Sequence, residues 1–276
     1  MDDDLIIEAH AFAIELAREA GGVLRERFAG RRDIDHKGTI DIVTDADRAS
    51  EALIASAIRE RYPDHRLLAE EGATGAGQGA SPYRWVVDPL DGTTNFAHRY
   101  PHFAVSIGLE RDGELLAGAV YDPMRDELFE ARRGGGARLN GEPIRVTDRS
   151  ELISSLLASG FPYDLNARQV SNRLWQRFND RSRGVRRAGA AALDIAYVAA
   201  GRLDGYWERP VMPWDKAASC LIAMEAGAVV TGLTGEPFDI DDQSATVANP
   251  ALHHLLVAEI LDELATMGCE RAGASR

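Results

Sequence analysis

The sequence predicts an α+β first half joined to an α/β second half. Three observations carry that reading. Apolar residues recur at steps of three and four near the start, which marks amphipathic helices. Short alternating runs separated by Asp-Gly and Asn-Gly turns follow, as in an antiparallel meander. From about residue 147 onward, strand-like and helical stretches alternate.

The elements follow in order. Leu5, Ala9, Phe12, Leu16, Ala20, Leu24 and Phe28 line one face of a helix over residues 5–28, and Gly30 supplies a stop. A second helical pattern runs from Asp47 to Arg61 with Leu53, Ile54 and Ile58 inward, and ends at Tyr62-Pro63. At least one of Asp41, Asp45 and Asp47 is expected to cap it. A strand over 66–71 leads into residues 72–82, whose glycines make a loop. Strands are expected at 83–88, stopped by Pro89, and at 103–110, 114–121 and 127–132. Asp112-Gly113 and Asn140-Gly141 are hairpin signals. The second half reads as strands at 154–159, 184–187, 204–208, 228–232 and 245–248. Helices are expected at 166–178, 190–200 and 214–226, with a last one from Pro250. The division falls between 1–146 and 147–276, with no linker-like composition, so the halves are expected to share an interface.

Composition excludes several functions. The chain has 276 residues, with 31 Lys+Arg against 44 Asp+Glu and a formal charge of −13. A nucleic-acid binder needs a basic footprint, so no nucleic-acid partner is expected. Only two of the basic residues, Lys37 and Lys216, are lysines, and nothing physical in the sequence explains that bias. No apolar run approaches the roughly 20 residues that span a bilayer, so no membrane role is expected. The start, Met1-Asp2-Asp3-Asp4, is acidic where a signal peptide is basic, which predicts a cytoplasmic protein. Two cysteines, Cys220 and Cys269, are too few for a disulfide framework.

The chemistry concentrates in Trp85-Val-Val-Asp88-Pro89-Leu90-Asp91-Gly92-Thr93-Thr94-Asn95-Phe96. Two carboxylates three residues apart at a strand exit can converge on one cation. Free amides at Gly92 and Thr93 can cradle an anion. A hard divalent cation with a phosphate uses both parts. A plain Asp-Gly turn would not need two acids, a proline break and two hydroxyls together. Glu70-Glu71 ends another strand and, read alone, is a solvated pair. Asp215, in Met212-Pro213-Trp214-Asp215, read alone is an N-cap.

Taken together these motifs resemble the inositol monophosphatase family of Mg²⁺-dependent, lithium-sensitive sugar and inositol phosphatases. The family pattern is an Asp, then Glu-Glu, then Asp-Pro-Ile/Leu-Asp-Gly-Ser/Thr, then Trp-Asp with Gly-Gly eleven residues later. Here it reads Asp47, Glu70-Glu71, Asp88-Pro89-Leu90-Asp91-Gly92-Thr93 and Trp214-Asp215, with Gly227-Ala228 replacing the glycine pair. The resemblance spans about residues 5–260. It implies a layered αβαβα sandwich of the sugar-phosphatase type, with the metal-binding acids in 1–146 and Asp215 and Glu208 contributed by 147–276. It implies two or three Mg²⁺ per subunit, with Glu70, Asp88 and the Leu90 carbonyl at one and Asp88, Asp91 and Asp215 at another. Asp47 and Thr93, with Glu70, would activate water. Asp91, Gly92, Thr93, Gly189, Ala190 and Glu208 would contact substrate, Glu208 through ring hydroxyls.

The activity so implied is hydrolysis of inositol 1-phosphate, in a homodimer. Relatives sharing the metal motif act instead on fructose 1,6-bisphosphate, histidinol phosphate or 3′-phosphoadenosine 5′-phosphate. A different class is a regulatory binding protein on the same fold. Several signals carry less. Gly75, Gly77 and Gly79 lack dinucleotide-fingerprint spacing. His98, His102, His253 and His254 have no metal-ligand spacing. Arg181, Arg183, Arg186 and Arg187 form either a solvated basic stretch or a contact for a second phosphate or partner. Cys220 falls on an apolar helix face.

Overall fold

The structure, a computed structural model, describes residues 2–30, 34–36, 42–72, 81–162, 164 and 168–268. Asp41, Lys37, Asn166, Cys269 and residues 73–80 of the expected glycine loop lie outside the described residues.

The chain opens with α1 (Asp2–Ala29), and the two-stranded ribbon β1 (Ile34–His36) and β2 (Ile42–Thr44) leads into α2 (Asp45–Arg61). The cap of α2 differs from the expectation. Thr44, not an aspartate, is the N-cap, and Asp47 sits at N3, where its carboxylate reaches back to the Thr44 amide. That is a reciprocal capping box.

A seven-stranded sheet follows: β3 (Arg66–Ala69), β4 (Tyr83–Asp91), β5 (Ala104–Arg111), β6 (Glu114–Asp122), β7 (Glu127–Arg132), β8 (Ala137–Leu139) and β9 (Glu142–Pro143), in that spatial order. Only β3 and β4 are parallel; every other neighbouring pair is antiparallel. Asp112 and Gly113 turn β5 into β6 at φ 51° and 85°, and Asn140 and Gly141 turn β8 into β9 at 50° and 84°. Two successive positive φ values match the right-handed twist of a hairpin. Pro89 does not stop β4 as expected. The ladder pairs Asp88 with Ser106, then resumes with Asp91 opposite Ala104 across a bulge. Pro89 sits in the bulge, where no ladder N–H is needed.

The short helix α3 (Thr93–Ala97) leaves the end of β4. A second, five-stranded sheet contains β10 (Leu156–Ser159), β11 (Gly184–Arg186), β12 (Gly205–Glu208), β13 (Val229–Thr231) and β14 (Ala245–Ala248) in the order β11-β10-β12-β14-β13. Its first three strands are parallel and β14 runs antiparallel to both neighbours. The helices are α4 (Arg168–Arg181), α5 (Ala191–Ala199), α6 (Pro213–Glu225) and α7 (Pro250–Thr266).

The layers run α1/α2, seven-stranded sheet, α5/α6, five-stranded sheet, α4/α7. This is the αβαβα sandwich. Each helix layer closes its own apolar core: Leu16, Ile54 and Trp85 in the first, Leu193, Leu221 and Tyr206 in the middle, Phe178, Trp207 and Leu256 in the last. Cys220 is buried in the middle core, and burial pushes its thiol up to about 12. The middle layer positions the site. Gly108 and Gly118 face each other across β5 and β6. A Cβ at Gly118 would stand 2.8 Å from the Ala218 oxygen, so α6 lies almost directly on the sheet backbone. No helix of the described residues is long and apolar enough to cross a membrane.

Candidate active site

Four pieces of chain converge where β3 and β4 end and α5 and α6 begin. Between them lies a cavity of about 340 Å³. Asp88 and Asp91 come from the bulged end of β4 and Asp215 from the first turn of α6. Their carboxylate oxygens lie within 4.8 Å of one another. Glu70, Leu90, Gly92, Thr93, Gly189, Ala190 and Glu208 line the same cavity. Asp47 does not line it. It is wholly buried behind Thr93, whose hydroxyl donates to Asp47 Oδ1 at 2.9 Å.

Local backbone demands set each acid. The Asp88 carboxylate accepts the Leu90 amide at 2.9 Å, which bridges the bulge at Pro89. Asp91 accepts the Ala191 and Ala192 amides at 3.1 and 2.8 Å, satisfying the first turn of α5. Asp215 is at N3 of α6 rather than its N-cap, and accepts the Met212 amide at 2.7 Å. A carboxylate offers about four lone-pair sites, so these bonds leave acceptor capacity on each acid. Gly92 turns the chain at φ 94°, and a Cβ there would crowd the His102 and Gly189 carbonyls at 3.1 and 3.3 Å. That close approach requires glycine. The Asn95 amide donates to His102 and Ala188 carbonyls, tying the α3 turn to the α5 approach.

The electrostatics are unusual. Burial, then repulsion from Glu70, Asp91 and Asp215, holds the Asp88 carboxyl well above its ordinary range. Burial and Asp215 do the same to Asp91. Burial pushes Asp215 up to about 6 and Glu208 up to about 7. Among the described residues no ion pair reaches Asp88, Asp91 or Asp215. A buried group of like charges without a cation is costly. Oxygen donors of this number and charge fit a hard divalent cation such as Mg²⁺.

The same cavity is lined by Glu208, whose carboxylate accepts the Tyr206 hydroxyl. Gly160 leaves it room, since a Cβ there would fall 2.0 Å from Oε1. Of two further lining residues, Asp194 escaped the sequence reading. Asp194 reads as an ordinary first-turn acid on an apolar helix. Arg187 was read with its basic neighbours, but the structure separates them. Arg187 stands at the cavity rim, whereas Arg181 pairs with Glu259 at 3.2 Å. Gly189, two residues after Arg187, turns the chain at a φ of 88°.

The replaced glycine pair is also explained. Gly227 takes φ 92° just beyond α6, while Ala228 keeps an ordinary negative φ and donates to the Ala223 carbonyl at 2.9 Å. Only the first position of the pair demands glycine here.

Comparisons with known proteins identify the family. A profile of the inositol monophosphatase family matches residues 7–265. An inositol-1-monophosphatase of a Synechocystis species is 43% identical over 247 residues, covering 88% of this chain and 85% of that one. The Nus factor SuhB of Pseudomonas aeruginosa is 46% identical over 233 residues, covering 81% of this chain and 84% of that one. The solved inositol monophosphatase of Anabaena superposes with a TM-score of 0.82 at 40% identity, covering 92% and 96% of the two chains. With its layers, its carboxylate cluster and this likeness over nearly its whole length, the chain belongs to the inositol monophosphatase family.

Proposed function

We propose that this protein is a cytoplasmic, homodimeric, lithium-sensitive phosphomonoesterase that hydrolyses inositol 1-phosphate with two or three Mg²⁺ per subunit. One observation supports it most. A single cavity holds three converging carboxylates and a further one, Glu208.

Glu70, Asp88 and the Leu90 carbonyl would hold one ion, and Asp88, Asp91 and Asp215 a second; Glu70 would help a third through water. When bound, Mg²⁺ supplies charge neutralisation and polarisation of phosphate oxygens. The remaining work falls to the chain. Asp47 accepts the Thr93 hydroxyl at 2.9 Å on one oxygen, and the Thr44 amide and hydroxyl at 2.8 and 2.5 Å on the other. Those bonds favour the ionised carboxylate against the burial that raises it. Thr93 then passes its hydroxyl proton to Asp47 Oδ1 as Thr93 Oγ1 takes one from the attacking water. The Gly92 and Thr93 amides, opening α3 without intrahelical acceptors, receive the phosphate oxygens. Glu208, held by Tyr206, accepts hydroxyls of the leaving alcohol.

Phosphate release from inositol 1-phosphate, fructose 1,6-bisphosphate, histidinol phosphate and 3′-phosphoadenosine 5′-phosphate tests the substrate choice. Inositol 1-phosphate is expected to lead in kcat/KM. A bisphosphate ahead by more than about tenfold overturns it.

A second reading, a regulatory protein acting through a transcription partner, is favoured by the SuhB relative at 46% identity. Complementation of a deletion strain by Asp91→Asn separates the two. Restored growth supports the regulatory role; failure with a folded, expressed variant supports catalysis.

A further inference from the structure

Asp194 lies in the first turn of α5 and is 3% exposed. What surface it keeps faces the cavity, which it lines beside Gly189, Ala190 and Glu208. Among the described residues no hydrogen bond or ion pair reaches its carboxylate. Buried polar groups almost always have a partner, so this one requires an explanation.

Helix capping does not provide it. The Ala191 and Ala192 amides of that turn donate to Asp91, and the Asp194 amide donates to the Ala190 carbonyl at 3.0 Å. The charges that act on Asp194 are Asp91, Glu208 and Arg187; burial and the two acids raise its carboxyl, and Arg187 opposes them. Asp88, Asp215 and Glu70 do not figure among them. Asp194 therefore lies within reach of both Asp91 and Glu208. Asp194 and Glu208 reach the cavity from different layers, α5 and β12.

We propose that Asp194 is a specificity-determining residue that, with Glu208, forms a two-carboxylate floor for the hydroxyls of a polyol monophosphate. The ring hydroxyl supplies the donor that the protein withholds. Two carboxylates facing the cavity accept hydrogen bonds from neutral hydroxyls and disfavour a second phosphate at the same place. Arg187, at the rim, is the one cation acting on both, and it moderates their charge without pairing either. This proposal rests on the phosphatase reading above.

The test compares kcat/KM for myo-inositol 1-phosphate with that for 4-nitrophenyl phosphate, whose leaving group carries no further hydroxyl. Wild type, Asp194→Ala and Asp194→Asn are assayed with saturating Mg²⁺, and thermal unfolding verifies each fold. Asp194→Ala is expected to lower the ratio of the two efficiencies about tenfold or more, chiefly through KM for the inositol phosphate. Asp194→Asn, whose amide oxygen still accepts a hydroxyl, is expected to lose less. Should the alanine variant fail to fold, Asp194→Ser carries the same comparison. A parallel loss on both substrates, or an unchanged ratio, overturns the proposal while leaving the phosphatase reading intact. A wild-type protein that cleaves neither substrate overturns both.

Discussion

At the scale of single residues, the site is built from acids that each answer a backbone need and still retain acceptor capacity. Asp88 closes a bulge, Asp91 caps α5 and Asp215 folds back on its own first turn. This double duty explains what the sequence disclosed. Asp88 and Asp91 stand out because a strand exit, a proline and a glycine sit in one short string. Asp215 stands out through its tryptophan. Asp194 does not, since nothing local distinguishes it from any first-turn acid, and only the fold brings Glu208 toward it. Asp215→Asn should lower turnover at least about a hundredfold while leaving the circular dichroism spectrum unchanged. Unaltered turnover would remove Asp215 from the reaction. The same acids predict a pH effect. The Asp215 and Glu208 carboxyls, raised to about 6 and about 7, keep protons in the folded state that the unfolded chain has already lost. Stability of the metal-free protein should therefore fall as pH rises from about 4 to about 7. Mg²⁺ favours the ionised forms, so its stabilisation should grow across that window. A thermal midpoint whose Mg²⁺ shift is the same at about pH 5 and about pH 7.5 would contradict this.

At the scale of elements, the helix and strand periodicities were legible and several boundaries were not. Pro89 reads as a strand end because a ladder needs its N–H; the structure places it in a bulge, where that donor is not needed. An aspartate cap for α2 is expected because Asp41, Asp45 and Asp47 precede the helical pattern. Thr44 takes that place, and Asp47 is thereby turned toward Thr93. Close packing of α6 on β5 and β6 was also hidden, since isolated glycines in strands carry several meanings. Gly118→Ala tests it. The added Cβ would meet Ala218 backbone atoms at 2.8 and 2.9 Å, so α6 must shift. Loss of about 1–3 kcal/mol in chemical denaturation is expected, with weakened Mg²⁺ affinity because Asp215 rides on α6. Full stability and affinity would show that the helix has slack.

At the scale of the whole molecule, the sandwich joins two sheets through one helix layer, and the site forms where that layer meets both. Sequence reading separated an antiparallel first half from an alternating second half because the hydrophobic period changes between them. It did not reveal that α6 packs on the first sheet, which is a tertiary fact. The formal charge of −13 also acquires a local meaning. Part of it gathers in one cavity as carboxylates that repel one another and an anionic substrate until cations arrive. The most direct test of this account is phosphate release from inositol 1-phosphate by chelator-treated protein, before and after Mg²⁺ is restored. The account predicts negligible release without the ion and recovery with it, inhibited by lithium. Equal release in both states, or none in either from a folded protein, would contradict it.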